Sequence, residues 1–258
     1  MKKIGKHRLY RGDCLKIMYK IPDKSVDMIL CDLPYGTTAC KWDTVIPFEP
    51  LWAHYKRVIK DHGAIVLFAQ QPFTSSLVLS EPKLFRYQWV WEKNRGGGFL
   101  DAKKKPLRCH EDIIVFYDKQ PNYTPQMTVG DKPNNRKNKI GVDVSDGKKS
   151  DIHAGGYKRI QEDHGNLKYP RSVIRFDGIP PTGGFRLHPT QKPVALLEYL
   201  IKTYTLEGET VLDNCMGSGS TLVACNNTKR IGIGIEKDKK FFRIAVDRVR
   251  EAKLSSKR

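Results

Sequence analysis

A carboxylate, a proline and an aromatic ring stand together in one tetrapeptide, Asp32-Leu33-Pro34-Tyr35. The exocyclic amine of a nucleobase is a poor nucleophile, because its lone pair is delocalised into the ring. Asp32 and the backbone carbonyl of Leu33 can accept the amine hydrogens, so that the nitrogen becomes more tetrahedral. Pro34 makes the turn rigid, and Tyr35 offers a ring on which an extruded base can stack. The tetrapeptide indicates amine chemistry, although an Asp-x-Pro turn after a strand is also common without any chemistry.

A glycine-rich segment at 213–221 has the pattern of a tight turn between a strand and a helix. Gly217 and Gly219 let the backbone approach a ligand closely, and the helix N-terminus favours a carboxylate or a phosphate. The lysine of a phosphate-binding loop is missing, and Leu222 stands where a dinucleotide fingerprint has its third glycine. The segment suits the methionine moiety of S-adenosyl-L-methionine, with a glycine turn and helix cap as the alternative.

Acidic residues end two successive predicted strands, Asp213 in the first and Glu236 in the second. A carboxylate at the end of the second strand lies where it can hold the hydroxyls of a ribose. The pair therefore favours a nucleoside-containing ligand over a plain turn.

Cations, aromatic rings and a glycine run are combined in the segment 91–99. Lys93 and Arg95 suit phosphate contacts around an extruded base. Trp42 can stack on a base, but an aromatic side chain beside a strand end more often belongs to the core. The neighbours His110 and Glu111 point apart on any regular element and have no third ligand nearby, so we expect no metal site.

Alternating strands and helices must position these residues. Apolar runs predict strands at 25–32, 64–68, 87–91, 113–117, 172–176, 210–213 and 230–236. Helical spacing predicts helices at 51–60 (closed by Gly63), 74–79, 194–204, 220–226 and 239–252. This order predicts a Rossmann-like α/β fold, with a mostly parallel sheet, helices on both faces and ligands at the carboxyl ends of the strands.

One stretch, about 120–170, lacks hydrophobic periodicity and is rich in Asn, Lys, Arg, Asp, Gly and Pro. A segment of this length inside a compact domain is usually functional or disordered. We therefore expect one domain over 1–258 with an insertion at about 120–170. Arg136, Lys158 and Arg159 are candidate phosphate or base contacts, the alternative being a solvated loop.

The composition bounds the class of protein. A formal net charge of +18 favours a polyanionic partner, or else a highly charged soluble surface. No apolar run approaches the about 18 residues of a membrane span, and the N-terminus lacks the apolar region of a signal peptide, so we expect a cytoplasmic protein. The six cysteines show no C-x-x-C pair and no Pro-Cys dipeptide. This disfavours methylation of a ring carbon through an activated thiolate.

These segments together resemble the DNA amino-methyltransferases, the N6-adenine and N4-cytosine enzymes of restriction–modification systems and phages. The tetrapeptide at Asp32 matches the family's catalytic motif, with Leu33 in place of the usual proline, and 213–221 matches its cofactor loop. The segment 185–193 is similar to the one that lines the methionine end of the cofactor, and Gly12-Asp13-Cys14 to one that meets its adenine.

The resemblance implies S-adenosyl-L-methionine as cofactor, double-stranded DNA as substrate and, by analogy, a possible homodimer. The implied catalytic residues are Asp32, Leu33, Pro34 and Tyr35. The implied cofactor-binding residues are Asp13, Cys14, Lys192, Asp213, Cys215, Gly217, Gly219, Thr221 and Glu236.

The catalytic motif precedes the cofactor loop, which is the permuted order of the β class. In that class the intervening region, here about 120–170, recognises the target. Aspartate at the first motif position favours adenine N6 as the acceptor. Cytosine N4, an RNA substrate and a non-catalytic DNA-binding module stay open as alternatives.

Overall fold

A computed structural model describes residues 1–38, 40, 43–130, 165–180, 187–188 and 190–255. The chain divides into two compact units, one formed by Met1–Thr124 with Ser172–Arg258, the other by Pro125–Arg171. Four residues that the sequence predicts to contact DNA lie outside the described residues: Trp42, Arg136, Lys158 and Arg159.

The larger unit alternates strands and helices along the chain. Its strands are β1 (Lys2–Ile4), β2 (His7–Arg11), β3 (Val26–Asp32), β4 (Ile59–Ala69), β5 (Phe85–Gly97), β6 (Arg108–Phe116), β9 (Val173–Arg175), β10 (Thr210–Asp213) and β11 (Ile231–Glu236). Its helices are α1 (Cys14–Met18), α2 (Phe48–Val58), α3 (Phe73–Ser80), α4 (Val194–Tyr204), α5 (Ser220–Asn227) and α6 (Lys239–Ser255). The smaller unit contains β7 (Thr128–Val129) and β8 (Leu167–Lys168), which pair antiparallel.

Within the described residues, nine strands form one sheet in the order β1-β2-β11-β10-β3-β4-β6-β5-β9. The five strands from β2 to β4 in this order run parallel to one another, and β5 runs parallel to β9. β6 is antiparallel to both of its neighbours, β4 and β5. The predicted α/β fold with a mostly parallel sheet is therefore confirmed.

Apolar side chains cover both faces of this sheet, as β3 shows. Ile29 and Cys31 belong to a buried cluster with residues of α1, α2 and α3. Met28 and Leu30 point to the other face and belong to a cluster with residues of α4 and α5. Successive strand residues alternate between faces, so a strand whose residues are all apolar must be covered on both sides.

The carboxyl ends of β3, β10 and β11 meet at one edge of the sheet because these strands are parallel neighbours. Asp32, Asp213 and Glu236 are the last residues of the three strands. β6 runs the opposite way, so its first half reaches the same edge, where Asp112 pairs with Ala69 at the end of β4. Glu111, the residue before Asp112, is thereby brought to the edge that carries Asp32.

Two sequence predictions about elements are wrong. Gly63 does not close a helix, because α2 ends at Val58 and β4 starts at Ile59 and continues through Gly63. A Cβ at Gly63 would lie 2.9 Å from the carbonyl oxygen of Asp27, so glycine is needed there for the close approach of β4 to β3. The strand predicted at 87–91 is too short, since β5 extends from Phe85 to Gly97, which pairs with Arg108 of β6.

Among the described residues, no helix combines the length and the apolarity that crossing a membrane requires.

Candidate active site

A cavity of about 590 Å³ opens at the carboxyl edge of β3, β10 and β11. All four predicted catalytic residues line it, together with eight predicted cofactor residues: Asp32, Leu33, Pro34, Tyr35, Asp13, Cys14, Lys192, Asp213, Cys215, Gly217, Thr221 and Glu236. The structure thus brings the residues from both halves of the chain into one site.

Asp32 lies in a cluster of buried charges at one end of this cavity. Nζ of Lys192 is 2.6 Å from Oδ2 of Asp32 and 3.2 Å from Oε2 of Glu111. The other carboxylate oxygen of Glu111 accepts a hydrogen bond from Lys93. Two lysines and two carboxylates therefore alternate, and the cluster as a whole is neutral.

The charge of Asp32 depends on its neighbours. Burial raises the pKa of Asp32, and the positive charge of Lys192 opposes that rise. Burial would lower the pKa of Lys192, but the carboxylates of Asp32 and Glu111 raise it instead. Lys192 is therefore a stable cation, and its charge is the largest influence that favours the ionised form of Asp32, whose pKa nevertheless stays above its ordinary value because of burial.

Tyr35 is held against Asp32. Its hydroxyl donates a hydrogen bond to Oδ1 of Asp32 at 2.6 Å. Its ring stacks on that of Phe73, with 5.1 Å between centroids. Phe73 covers one face of the Tyr35 ring, so at most the other face is left for the predicted stacking of a base. The hydroxyl of Tyr35 has a second role, because it orients the carboxylate of Asp32.

Asp43 closes the loop that follows the tetrapeptide. Its Oδ1 accepts the backbone N–H groups of Tyr35 and Gly36 at 2.8 and 2.9 Å. Its Oδ2 accepts those of Thr37 and Thr38 at 2.9 and 2.7 Å. Burial alone would raise the pKa of Asp43, but these hydrogen bonds lower it. Four backbone N–H donors to one carboxylate fix the turn that follows Leu33, the residue that stands in place of the usual proline.

Two further carboxylates, Glu236 and Asp213, line the part of the cavity that is predicted to hold the cofactor. Glu236 accepts the backbone N–H of Gly217 at 2.9 Å and that of Asp238 at 2.7 Å, and burial raises its pKa to about 7. Asp213 is buried, which raises its pKa to about 6, and it accepts the backbone N–H of Cys215 at 3.0 Å. Thr221 also donates a side-chain hydrogen bond to Asp213.

The predicted adenine-facing pair plays partly structural roles. Oδ1 of Asp13 accepts the N–H of Leu15 at 3.0 Å and so caps α1. The thiol of Cys14 contacts that of Cys215, and this hydrogen bond together with burial raises the pKa of Cys14. Cys14 and Cys215 therefore present neutral sulfur atoms to the cavity.

Among the described residues, no group of three His, Cys, Asp or Glu side chains could hold a metal ion.

Gly219, the ninth predicted cofactor residue, has a packing role in the structure, and its contact with the cofactor stays a prediction. It is absent from the cavity lining, and a Cβ at this position would lie 2.9 Å from Cβ of Ala245 in α6. With φ at +81°, Gly219 begins α5 in the left-handed region and lets α6 pack closely. Gly217, at φ +49°, does line the cavity.

A second cavity of about 590 Å³ adjoins the first, and both are lined by residues 190–192. Lys93 and Arg95 line this second cavity, but their roles differ. Lys93 pairs with Glu111 and its Nζ lies 4.9 Å from the ring centroid of Trp91, so its charge already has partners inside the protein, and its contact with a phosphate stays a prediction. Arg95 is exposed and stays a predicted DNA contact.

Glu111 and Asp43 were not predicted as site residues. Glu111 was considered only as half of a metal pair, and nothing in the sequence shows that β6 is antiparallel and begins beside Asp32. Asp43 had a weak signal, since a carboxylate that follows a glycine turn often accepts its backbone N–H groups.

Residues 26–247 match the profile of a family described as DNA methylase. The chain belongs to this DNA methylase family. Among the relatives of the methylase are the type II methyltransferase M.HpaI of Haemophilus parainfluenzae, 27% identical over 94% of the chain and 74% of the relative, and the DNA adenine methyltransferase YhdJ of Escherichia coli K12, 28% identical over 93% and 82%.

Solved structures show the same fold. The M1.HpyAVI–SAM complex matches the methylase with a TM-score of 0.61 and 24% identity, over 94% of this chain and 98% of that one. The cytosine-N4-specific PvuII DNA methyltransferase matches with a TM-score of 0.63 and 13% identity, over 93% and 85%. The predicted family and fold class are confirmed.

Proposed function

We propose that this methylase transfers the methyl group of S-adenosyl-L-methionine to the N6 amine of adenine in double-stranded DNA. The observation that carries the proposal is the single cavity shared by Asp32 and the carboxylate pair of Asp213 and Glu236. A methyl donor held by that pair and an amine held by Asp32 share one enclosed space, as direct transfer requires.

The residues present suit the cofactor. The cavity volume falls within the roughly 300–1,000 Å³ of small-molecule sites. The ionised Glu236 would accept hydrogen bonds from the ribose hydroxyls, and Gly217, which has no Cβ, leaves the loop backbone open to the methionine moiety. The N-terminus of α5 would favour the methionine carboxylate. When bound, the cofactor supplies an electrophilic methyl group.

The chain's own residues prepare the amine. Asp32, kept ionised by Lys192, accepts one amine hydrogen, and the carbonyl of Leu33 accepts the other. Both acceptors are in place before the substrate arrives, since Tyr35 and Asp43 hold the carboxylate and the loop. Such preorganised acceptors favour the tetrahedral nitrogen that attacks the methyl carbon.

Adenine is favoured by the aspartate of the motif and by the similarity to YhdJ, whose name specifies adenine. Cytosine N4 is the second candidate, because the fold is shared with a cytosine-N4-specific enzyme and both amines need the same acceptors.

The test is incubation of the protein with unmodified DNA and methyl-labelled cofactor, followed by digestion to nucleosides. We expect label in N6-methyladenine. Label in N4-methylcytosine alone would overturn the adenine assignment and leave the amine mechanism standing.

The carboxylate itself is tested with Asp32→Ala. We expect methyl transfer to fall by at least about 10³-fold, with cofactor binding measured by calorimetry unchanged, because Asp32 acts on the acceptor amine. Wild-type transfer by Asp32→Ala would show that Asp32 has no catalytic role, and a complete lack of transfer by the wild type would favour a non-catalytic DNA-binding module.

We infer that the region of about 120–170 recognises the target sequence, a role supported by its basic composition and by its place between the two motifs. We propose a cytoplasmic location, which a DNA substrate in a bacterial or phage-infected cell would support, and the homodimer stays a prediction.

A further inference from the structure

The hairpin that joins β5 to β6 exposes large apolar side chains at its tip. We call residues 98–107 the hairpin finger. Phe99 is 75% exposed and Leu100 85% exposed. Hydrogen bonds from Asp101 N to Gly98 O at 3.0 Å and from Ala102 N to Phe99 O at 3.1 Å hold the tip in a defined turn. Two adjacent, exposed apolar side chains on an ordered turn favour a surface that is covered in a complex.

Cations surround these apolar side chains. Lys103, Lys104 and Lys105 follow the tip directly, and Asp101 is the single acidic residue of the finger sequence. Asp101 pairs with Lys105 at 2.9 Å, which leaves an excess of positive charge. Lysines suit phosphates, and an apolar wedge flanked by cations suits a duplex whose bases are being separated. A second copy of this chain, at +18, would bring like charges together instead.

The finger stands beside the active site. Its residues Gly98 and Asp101 line the second cavity together with Glu111 and Lys192 of the catalytic cluster. Glu111 is three positions along β6 from Arg108 at the base of the finger, a strand length of about 10 Å. DNA whose target base reaches Asp32 would therefore meet the finger close to the position that the base has left.

We propose that the hairpin finger enters the duplex at the target nucleotide. Phe99 and Leu100 fill the space vacated when the target base rotates out, and the lysines contact the flanking phosphates. The proposal rests on the proposed function, since it assigns to the finger the opening of the DNA substrate. Opening a base pair costs stacking and pairing, so apolar contacts with the neighbouring bases favour the open state.

The experiment compares two substrates. Sequencing of modified bases in plasmid DNA from cells expressing the protein identifies the methylated site. Two synthetic duplexes then carry that site, one fully paired and one with the target base opposite a noncomplementary base. Methyl transfer by the wild type is compared with that by Phe99→Ala/Leu100→Ala. We expect the variant to lose about tenfold or more on the paired duplex and less than about threefold on the mismatched one, where the base is already free.

Leu254→Ala is the matched control, because Leu254 is also exposed and the neighbouring Lys253 packs against Gly5 at the opposite edge of the sheet. Its transfer should equal that of the wild type on both duplexes. If Phe99→Ala/Leu100→Ala lost the same share of methyl transfer on both duplexes, or lost none on either, the proposal that the hairpin finger enters the duplex would be overturned. A change in oligomeric state in sedimentation would overturn it in favour of a contact between copies.

The wild-type rate reports on the proposed function separately. If the wild type methylates the paired duplex, the proposed function stands, and the role of the hairpin finger is tested by the ratio of the variant's methyl-transfer rate to that of the wild type. If it methylates no DNA, the proposed function fails, and the wedge fails with it.

Discussion

Lys192→Met removes the cation that pairs with Asp32 and leaves a side chain of similar length. Nζ of Lys192 is 2.6 Å from Oδ2 of Asp32, and Glu111 adds a second negative charge to the same cluster. At an effective dielectric constant near 20, the attraction of such a pair is about 6 kcal/mol before desolvation is subtracted. An opposite charge at this range typically shifts a carboxyl pKa by about 1–3 units.

The direction in which the pH profile moves follows from the need for an ionised Asp32. Burial already raises the pKa of Asp32, and without Lys192 the hydrogen bond from Tyr35 is left to oppose that rise. Asp32 then takes up a proton at higher pH, and a protonated carboxyl is a poorer acceptor for the amine. We expect the acidic limb of kcat/KM against pH to move upward by about 1–3 units in Lys192→Met.

The same variant separates two roles for Lys192. As a cofactor residue, Lys192 would change the Kd of S-adenosyl-L-methionine and leave the pH profile in place. As the partner of Asp32, it changes the pH profile and leaves the Kd near that of the wild type.

The assay is methyl transfer to DNA at saturating cofactor from pH 5.5 to 9.5, with cofactor binding followed by calorimetry. Lys192→Arg is the control, because it keeps the positive charge, and thermal unfolding confirms that each variant is folded. An unchanged acidic limb in Lys192→Met would refute the assignment of Lys192 to the charge of Asp32.

Two further predictions concern the other carboxylates of the site. Glu111→Gln removes a negative charge that raises the pKa of Asp32, so the acidic limb should move downward, opposite to Lys192→Met; an upward shift in the same rate assay would contradict the cluster. Glu236 has a pKa raised to about 7 by burial, and its ionised form is the better acceptor for ribose hydroxyls. Cofactor affinity should therefore rise about tenfold as the pH increases through 7, and Glu236→Gln should bind more weakly and without this pH dependence; calorimetry at pH 6 and 8 tests both.

The strand-end acids could be predicted from the sequence because their position follows from local patterns. An apolar run that ends in Asp or Glu and is followed by a turn indicates a buried parallel strand with its carboxylate at the ligand edge. Asp32, Asp213 and Glu236 all obey this rule, and the structure places all three in one cavity.

The direction of a strand, by contrast, has no local signal. β6 has the same kind of apolar run as β3, but it is antiparallel to β4, so its first residues and not its last ones face the ligands. Glu111 is therefore in the site and was missed. The ion pair of Lys93 with Glu111 was missed for the same reason, because only the pairing of β5 with β6 brings the two side chains together.

Lys192 joins the two halves of the site. It precedes α4, close in sequence to the predicted cofactor loop, yet its charged end contacts Asp32, the carboxylate that we propose prepares the acceptor amine. The short segment 190–192 also forms a wall common to both cavities, one holding the catalytic and cofactor residues and one bordered by the hairpin finger. A displacement of this segment by either DNA or cofactor would move Nζ away from Asp32 and change the carboxylate's pKa. We therefore expect the pH profile of methyl transfer to respond to changes in the cofactor site, in the acceptor site and in the second cavity.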